Sequence, residues 1–188
     1  AALPGACSSD GELVVVITSE IRIDGIAYEI LRDGVLIERR CALLSETTSG
    51  GLPGSISVVG EAGTPVTIRL IGLVGSTCDE SAGFDPDVLG SLAVLREIVT
   101  TIPDGRSATL SVVFAKSCRR DTGVIVADGA GEFDDGECAA GTTCIDASDG
   151  ACVDSTVDSS ALPDYSAGDL GGGGSGFLGG GGAGAGNQ

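Results

Sequence analysis

The chain has 188 residues, a formal net charge of −17, aromatic residues at 3%, and no His, Trp or Met. Without His, a Ser-His-Asp or Cys-His catalytic arrangement is excluded, and a zinc site is disfavoured. The strongly acidic surface would repel nucleic acid and anionic lipid, so neither is expected as a partner.

The start of the chain and its cysteines bear on the compartment. The sequence begins at Ala1 and has no apolar run of the roughly 18 residues that span a bilayer. We expect that a signal peptide has been removed, because small residues such as Ala surround such cleavage sites. Seven cysteines in a chain without His predict disulfides and a secreted, extracellular or surface location. Cys7 leaves a lipid anchor open as a weaker alternative.

After an N-terminal segment, residues 1–10, the sequence predicts a β-domain over residues 11–117. Runs rich in β-branched and alternating apolar residues predict seven strands, at 13–18, 26–32, 35–40, 55–59, 66–75, 92–102 and 108–116. This number and spacing predict an all-β fold, an immunoglobulin-like or transthyretin-like antiparallel β-sandwich.

Two turn signals and one ambiguous segment refine this prediction. Asp33-Gly34 between two apolar runs is a strong hairpin signal, and residues 103–106, Pro-Asp-Gly-Arg, predict a second hairpin. Residues 86–97 only partly fit a helical face, and we expect at most a minor helix there. Residues 45–54 and 77–86 are expected to be surface loops.

Residues 118–153 predict a small cysteine-rich module. They have too few apolar residues for a core, so covalent links are expected to hold them. We expect Cys118, Cys138, Cys144 and Cys152 to pair among themselves, with three connectivities open. Cys41 and Cys78 are plausible partners for each other. Cys7 then remains for an intermolecular disulfide or a free thiol, although it could instead pair with Cys41 or Cys78.

The end of the chain differs in composition from the rest. Residues 154–170 predict a polar, acidic linker, and residues 171–188 form a Gly-rich tail without charged side chains. A tail of this kind is either a flexible spacer or a segment that packs closely against a neighbour. In the second case Phe177 and Leu178 are the candidate assembly residues.

Part of the chain is similar to a group of bacterial proteins. Residues 100–118, TTIPDGRSATLSVVFAKSC, resemble the closing hairpin of a β-domain, and residues 136–153, GECAAGTTCIDASDGACV, resemble the cysteine motif that follows it. The group consists of mostly uncharacterised secreted and surface proteins of myxobacteria and related bacteria, and residues 157–165 also resemble it. The resemblance covers about residues 91–166 and implies a surface location without implying an activity.

The sequence favours a protein that is not an enzyme. Lys116, the single lysine, is expected to be exposed at a strand end, and paired carboxylates such as Asp134 and Asp135 lack the aromatic platforms of a glycosidase cleft. We expect no cofactor. A calcium site is a minor alternative, because loop carboxylates cluster around the cysteines, at Asp134, Asp135, Glu137, Asp146 and Asp149.

These features predict an extracellular structural protein. In this hypothesis the chain is a self-assembling subunit of a fibre, filament or sheath, its partner is another copy of itself, and its Gly-rich tail packs into the neighbouring subunit. The alternative is a surface-displayed binding or adhesion module with the tail as a flexible spacer.

Overall fold

The computed structural model describes residues 9–43, 54–74, 91–119, 126–127, 133–134, 138, 141–145 and 151–166. Within them the fold is almost entirely β, with two short 3-10 turns at Lys116–Cys118 and Ser159–Ala161. The long strands are β1 Asp10–Ser19, β2 Gly25–Arg32, β3 Val35–Leu43, β4 Gly54–Glu61, β5 Pro65–Val74, β6 Ser91–Thr101 and β7 Ser107–Phe114. The short strands are β8 Val126–Ala127, β9 Phe133–Asp134, β10 Thr142–Cys144 and β11 Cys152–Asp154.

The seven long strands form two sheets that pack as a sandwich. One sheet has the order β4-β1-β7 and the other the order β3-β2-β5-β6. All neighbours are antiparallel except β1 and β7, which run parallel over eight residue pairs from Glu12–Ser107 to Ser19–Phe114. The predicted all-β class and the number of long strands are confirmed.

The core lies between the two sheets. Alternate residues of each strand point inward, so β-branched side chains from both sheets meet in one cluster. The largest fully buried side chains of this cluster are Leu13, Val15, Ile17, Ile30, Ile68, Leu70, Ile102 and Phe114. Burial of each such side chain contributes roughly 1.5–3 kcal/mol, so the aliphatic content offsets the shortage of aromatic residues.

The predicted hairpin at Asp33-Gly34 is confirmed. Asp33 and Gly34 have φ values of 49° and 76°, and they join β2 to β3. Positive φ at both central residues is the geometry of a type I′ turn, which matches the right-handed twist of the flanking strands. A short polar residue and a glycine tolerate this conformation, which explains why the local sequence was sufficient for the prediction.

The second predicted hairpin, at residues 103–106, is wrong. β6 pairs with β5 and β7 pairs with β1, so the connection between them crosses from one sheet to the other. The connection packs against the start of β1, where a Cβ on Gly11 would lie 1.7 Å from the carbonyl oxygen of Pro103. Only glycine therefore permits this close approach.

The minor helix expected within residues 86–97 is also wrong for its described part. Residues 91–97 belong to β6, which pairs with β5 through Leu92–Leu73, Val94–Gly72 and the following pairs. Leu92, Val94 and Leu95 partly fit a helical face, but pairing along the whole length of β5 overrides that weak local preference.

The strand order departs from the immunoglobulin arrangement. In that fold the first strand lies in one sheet with the second, fifth and fourth strands. Here β1 lies between β4 and β7, and β2 lies in the opposite sheet beside β3 and β5. The sandwich prediction is therefore confirmed in its coarse form.

A row of alternating charges crosses the outer face of the four-stranded sheet. Arg39 on β3, Glu29 on β2, Arg69 on β5 and Glu97 on β6 occupy one register row. Nη2 of Arg39 lies 2.6 Å from Glu29, and Nε of Arg69 lies 2.9 Å from Glu97. Glu29 is only 5% exposed, and two arginines compensate its buried charge.

A carboxylate on the central strand of the other sheet links both neighbouring strands. Glu12 of β1 accepts hydrogen bonds from the hydroxyl of Ser57 on β4, at 2.5 Å, and from that of Ser107 on β7, at 2.6 Å. The bond from Ser107, followed by that from Ser57, lowers the pKa of the Glu12 carboxyl below its usual 4.5, although burial opposes the change.

Replacement of this carboxylate should give a pH-dependent loss of stability. Because its pKa is lowered in the folded state, Glu12 stabilises the fold above pH 4.5, and the contribution disappears as the pH falls through the folded pKa. We expect Glu12→Gln to lower the free energy of unfolding by up to about 1 kcal/mol at pH 7. Urea unfolding at pH 7 and pH 3 would measure this, and an equal difference at both pH values would contradict the prediction.

Candidate functional site

One side of the sandwich is closed by the chain itself. β6 and β7 are edge strands of the two sheets and lie on the same side of the molecule. The described residues 155–166, which we call the C-terminal strap, pair first with β6 and then with β7. An edge strand carries unpaired backbone groups, so the strap satisfies groups that would otherwise be available to another chain.

The first part of the strap extends the four-stranded sheet. The amide of Val99 donates to the carbonyl of Ser155 at 2.9 Å, and the amide of Val157 donates to the carbonyl of Val99 at 2.8 Å. These bonds form a parallel bridge between Val99 and Thr156. Ser155 is 2% exposed, which shows how closely the strap lies against the sheet here.

The second part of the strap extends the three-stranded sheet. The amide of Thr109 donates to the carbonyl of Pro163 at 2.9 Å, and the amide of Tyr165 donates to that of Ser107 at 2.8 Å. Between the two pairing sites, Leu162 and Val157 pack against the sandwich core. The strap is therefore bound to both sheets and spans the gap between them.

Arg106 is the main side-chain anchor of the strap. Its guanidinium donates to the carbonyls of Leu162, at 3.0 Å, and Ser159, at 2.9 Å, and lies 2.7 Å from the carboxylate of Asp164. Carbonyls and a carboxylate of one short segment thus converge on a single cation. Charge-assisted hydrogen bonds of this kind are stronger than neutral ones.

Two disulfides precede the strap. Cys118 pairs with Cys144 and Cys138 pairs with Cys152, which is one of the three connectivities that the sequence left open. Cys118, Cys138 and Cys144 are buried and belong to the hydrophobic cluster of the sandwich. The described part of the cysteine-rich module therefore shares the sandwich core, in addition to its covalent links.

The described part of the segment predicted as an acidic linker, residues 154–166, makes backbone hydrogen bonds to both sheets, at Val99 and at Ser107 and Thr109. The strap lacks the apolar periodicity of a strand because it is held mainly by main-chain bonds and by Arg106. This is why its composition resembled that of a solvated connection.

A buried arginine lies beneath the cysteine residues. Arg96 of β6 is 8% exposed, and its Nη1 donates to the carbonyl of Cys144. Its Nε has no hydrogen-bond partner, and no salt bridge of Arg96 is found in the described part of the chain. Burial lowers the pKa of Arg96 to about 10. The residue connects the cysteine segment to β6 at an electrostatic cost.

The other predicted cysteine sites are only partly within the described structure. Cys41 is disulfide-bonded, while Cys7 and Cys78 both lie outside the described residues. The candidate assembly residues Phe177 and Leu178 also lie outside them, as do residues 45–53 and 77–86 of the predicted loops. Lys116 is exposed at the end of β7, as expected.

Most of the carboxylates of the alternative calcium site lie outside the residues that the structure describes. Of its five carboxylates only Asp134, in β9, is described, and Asp135, Glu137, Asp146 and Asp149 are not. Among the residues that the structure describes, no group of three or more metal-ligating side chains is found.

The opposite side of the sandwich has the edges β3 and β4. At the tip of the β2–β3 hairpin, Val35, Leu36 and Ile37 are 65%, 42% and 47% exposed. On β4, Val59 is 56% exposed. Among the described residues, four of the five exposed large apolar side chains thus lie on the side that the strap does not cover, and the fifth, Val113, lies on β7. Such a concentration is typical of an interaction surface.

Sequence reasoning missed the residues that hold the strap. Arg106 was interpreted as part of a hairpin turn, and Arg96 as part of a strand or helix, because neither has a charged neighbour in sequence that reveals its partner. One available signal was the pair of isolated apolar residues, Val157 and Leu162, in an otherwise polar segment. Such residues often mark a segment that packs on a core.

No family model, no curated protein and no solved structure matches this chain. Within the described residues, no helix is both long and apolar enough to cross a membrane. The geometry of the sheet edges is therefore the basis for assigning a function.

Removal of the anchoring guanidinium should loosen the strap without unfolding the sandwich. Arg106→Gln loses the bonds to Leu162, Ser159 and Asp164, and we expect a loss of about 1–3 kcal/mol in strap stability. Hydrogen exchange should become faster at the amides of Thr109 and Tyr165. Arg22→Gln is the matched control, because its side chain is 84% exposed and the charge change is the same. Equal exchange in both variants would contradict the anchoring role.

The buried guanidinium should be replaceable by an apolar side chain of similar length. The lowered pKa of Arg96 corresponds to about 3 kcal/mol of cost for the charged form, which opposes the gain from its hydrogen bond to Cys144. We therefore expect Arg96→Met to change the free energy of unfolding by less than about 1 kcal/mol. Arg96→Ala should cost about 2–4 kcal/mol through the cavity that it leaves. Equal losses of unfolding free energy in Arg96→Met and Arg96→Ala, measured by chemical denaturation, would show that the hydrogen bond to the Cys144 carbonyl dominates.

Proposed function

We propose that this chain is a secreted, non-enzymatic structural subunit that assembles with copies of itself into an extracellular fibre, filament or sheath. The observation that carries the proposal is the use of strand pairing at sheet edges. The C-terminal strap already binds β6 and β7 in this way, and the Gly-rich tail, residues 171–188, begins after a further four residues. The tail of one subunit would extend this mode of binding to the next subunit.

Several further observations support an extracellular place of action. Two disulfides tie the cysteine segment together, and disulfides persist in oxidising compartments. The resemblance to secreted and surface proteins of myxobacteria has the same implication. The strand order differs from that of the immunoglobulin fold, and this difference favours the transthyretin-like one of the two sandwich types expected from the sequence.

A second candidate function is favoured by the β2–β3 hairpin. Its tip exposes Val35, Leu36 and Ile37 together, and a partner protein could cover them. In this case the chain is a surface-displayed binding or adhesion module, and the tail is a spacer. The two functions differ in whether the tail is needed for self-association.

Deletion of the tail should separate the two functions. We expect the chain lacking residues 171–188 to keep its fold and to lose polymer formation, because the deleted segment is the proposed contact. Negative-stain electron microscopy at physiological salt would show filaments for the whole chain and dispersed particles for the truncated one. A scrambled tail of the same length controls for length alone. Filaments of the truncated chain would refute the tail contact, and dispersed particles of the whole chain would favour the binding module.

A further inference from the structure

The four edge strands of the sandwich differ in how they are protected against pairing with other chains. β6 and β7 are covered by the strap. β3 pairs with β2 through a β-bulge near Ile30 and Leu31, and it carries Glu38, Arg39 and Arg40. Bulges and charged side chains are the usual protection of an exposed edge. β3 is therefore a poor acceptor of another strand.

Within the described residues β4 is less protected, because no strand covers its outer edge and only its Val59 carbonyl is bonded, by the side chain of Arg32. Its eight residues pair with β1 in unbroken register from Asp10–Glu61 to Ile17–Gly54. The strand contains no Lys, Arg or Pro, and its only charged residue is Glu61 at its end. No described residue pairs with the other edge of β4. A regular, flat edge of this length is a template for a further strand.

The pairing of β4 with β1 determines which backbone N–H and C=O groups of β4 point to its free edge. The amide of Glu12 donates to Arg106, so the backbone groups of Glu12 point towards β7, away from β4. Its partner Val59 must then turn its own N–H and C=O away from β1. The Val59 carbonyl indeed accepts a bond from Arg32 at 2.8 Å. Ser57 and Ser55, two and four residues earlier, point the same way and offer four backbone groups at this edge.

The side chains of β4 suit a strand with small residues. Ser55 and Ser57 are small residues on the exposed face of this edge, where Ser57 is exposed, whereas Gly54 and Gly60 lie on the inward face with Ile56 and Val58. Val59 is the one large apolar side chain on the exposed face, and it is 56% exposed. A glycine-rich strand with a single apolar step would therefore fit here, with its apolar residue beside Val59.

We propose, on the basis of the function inferred above, that the outer edge of β4 is the acceptor for the Gly-rich tail of the next subunit. The described chain ends at Ser166, so 188 − 166 = 22 residues follow it. They start beside Ser107 on β7, which is the opposite edge of the three-stranded sheet from β4. The tail has no charged side chain that would meet the acidic surface, and Phe177 or Leu178 would cover Val59.

Placement of donor and acceptor on opposite edges makes the contact directional. Each subunit would offer its tail from the β7 edge and receive a tail at the β4 edge. A contact between two different surfaces does not close on itself unless the rotation forms a ring, so it generates a filament. Pairing of β4 with a second β4 would instead be symmetric and would stop at a dimer.

Substitutions at the β4 edge should stop assembly without disturbing the fold. Ser55→Pro removes an N–H that points away from β1 and keeps the hydrogen bond between Ser57 and Glu12, and Val59→Lys places a charge on the edge. We expect polymer mass to fall about tenfold or more in both variants, because a missing donor and a charge oppose edge pairing. Ile37→Lys on β3 is the matched control and should polymerise as the original chain does. Circular dichroism melts establish that all three variants are folded.

A photo-crosslinker in place of Val59 identifies the occupant directly. Whole chains carrying benzoylphenylalanine at this position are mixed as ¹⁵N-labelled and unlabelled copies, polymerised and irradiated, and the crosslinked peptides are read by mass spectrometry. Crosslinks between labelled and unlabelled chains that involve residues 167–188 are the expected result. Crosslinks only within one chain, crosslinks to a second β4, or polymers without a tail crosslink would overturn the proposal for β4 while leaving the proposed function intact. Failure of the original chain to polymerise would refute the proposed function itself.

Discussion

The constraint on which this structure depends is the need to pair backbone groups at the edges of open sheets. A sandwich of two open sheets has four edge strands, and each carries a row of N–H and C=O groups. In the described part of this chain two edges are covered by the C-terminal strap, one is bulged and charged, and one is regular and has no strand beside it. The arrangement of the cysteines, the position of the tail and the proposed assembly all relate to these edges.

The strap depends on chain connectivity for its position. Cys118 lies just after β7, and its bond to Cys144 brings the following segment back across the β6 side of the sandwich. The bond between Cys138 and Cys152 closes a second, shorter loop immediately before the strap. In the chain-entropy account, closing loops with separations of 26 and 14 residues lowers the conformational entropy of the unfolded chain. Each closure thereby stabilises the fold by about 3 kcal/mol. The strap then needs only weak contacts of its own.

Local signals in the sequence predicted local structure well. Asp33-Gly34 predicted a hairpin because the two residues alone determine the turn geometry. Residues 103–106 carry a similar signal, but the partner of β7 is β1, which lies 95 residues earlier in the chain (Ser107 pairs with Glu12). No local pattern reports such a pairing. Alternation on β7 did predict its inward face, since Ala108, Leu110, Val112 and Phe114 are all buried.

The candidate site was less accessible to sequence reasoning than the fold. The strap is held by main-chain bonds and by contacts of Arg106 to carbonyls of Ser159 and Leu162, which any residue type would supply, and only the contact to Asp164 needs an acidic side chain. Its polar composition therefore predicted a linker. The cysteines, in contrast, were informative because their chemistry restricts their partners, although spacing alone did not choose the connectivity.

The charged row Arg39–Glu29–Arg69–Glu97 has a consequence for how the four-stranded sheet assembles. Its signs alternate strictly in the spatial order β3, β2, β5, β6. If β2 paired with β6, two carboxylates would be adjacent, and if β3 paired with β5, two guanidinium groups would be adjacent. A slip of one residue would turn Glu29 into the apolar interior. The row thus discriminates against wrong neighbours and wrong registers, in a sheet whose aliphatic strands are otherwise similar enough to exchange places.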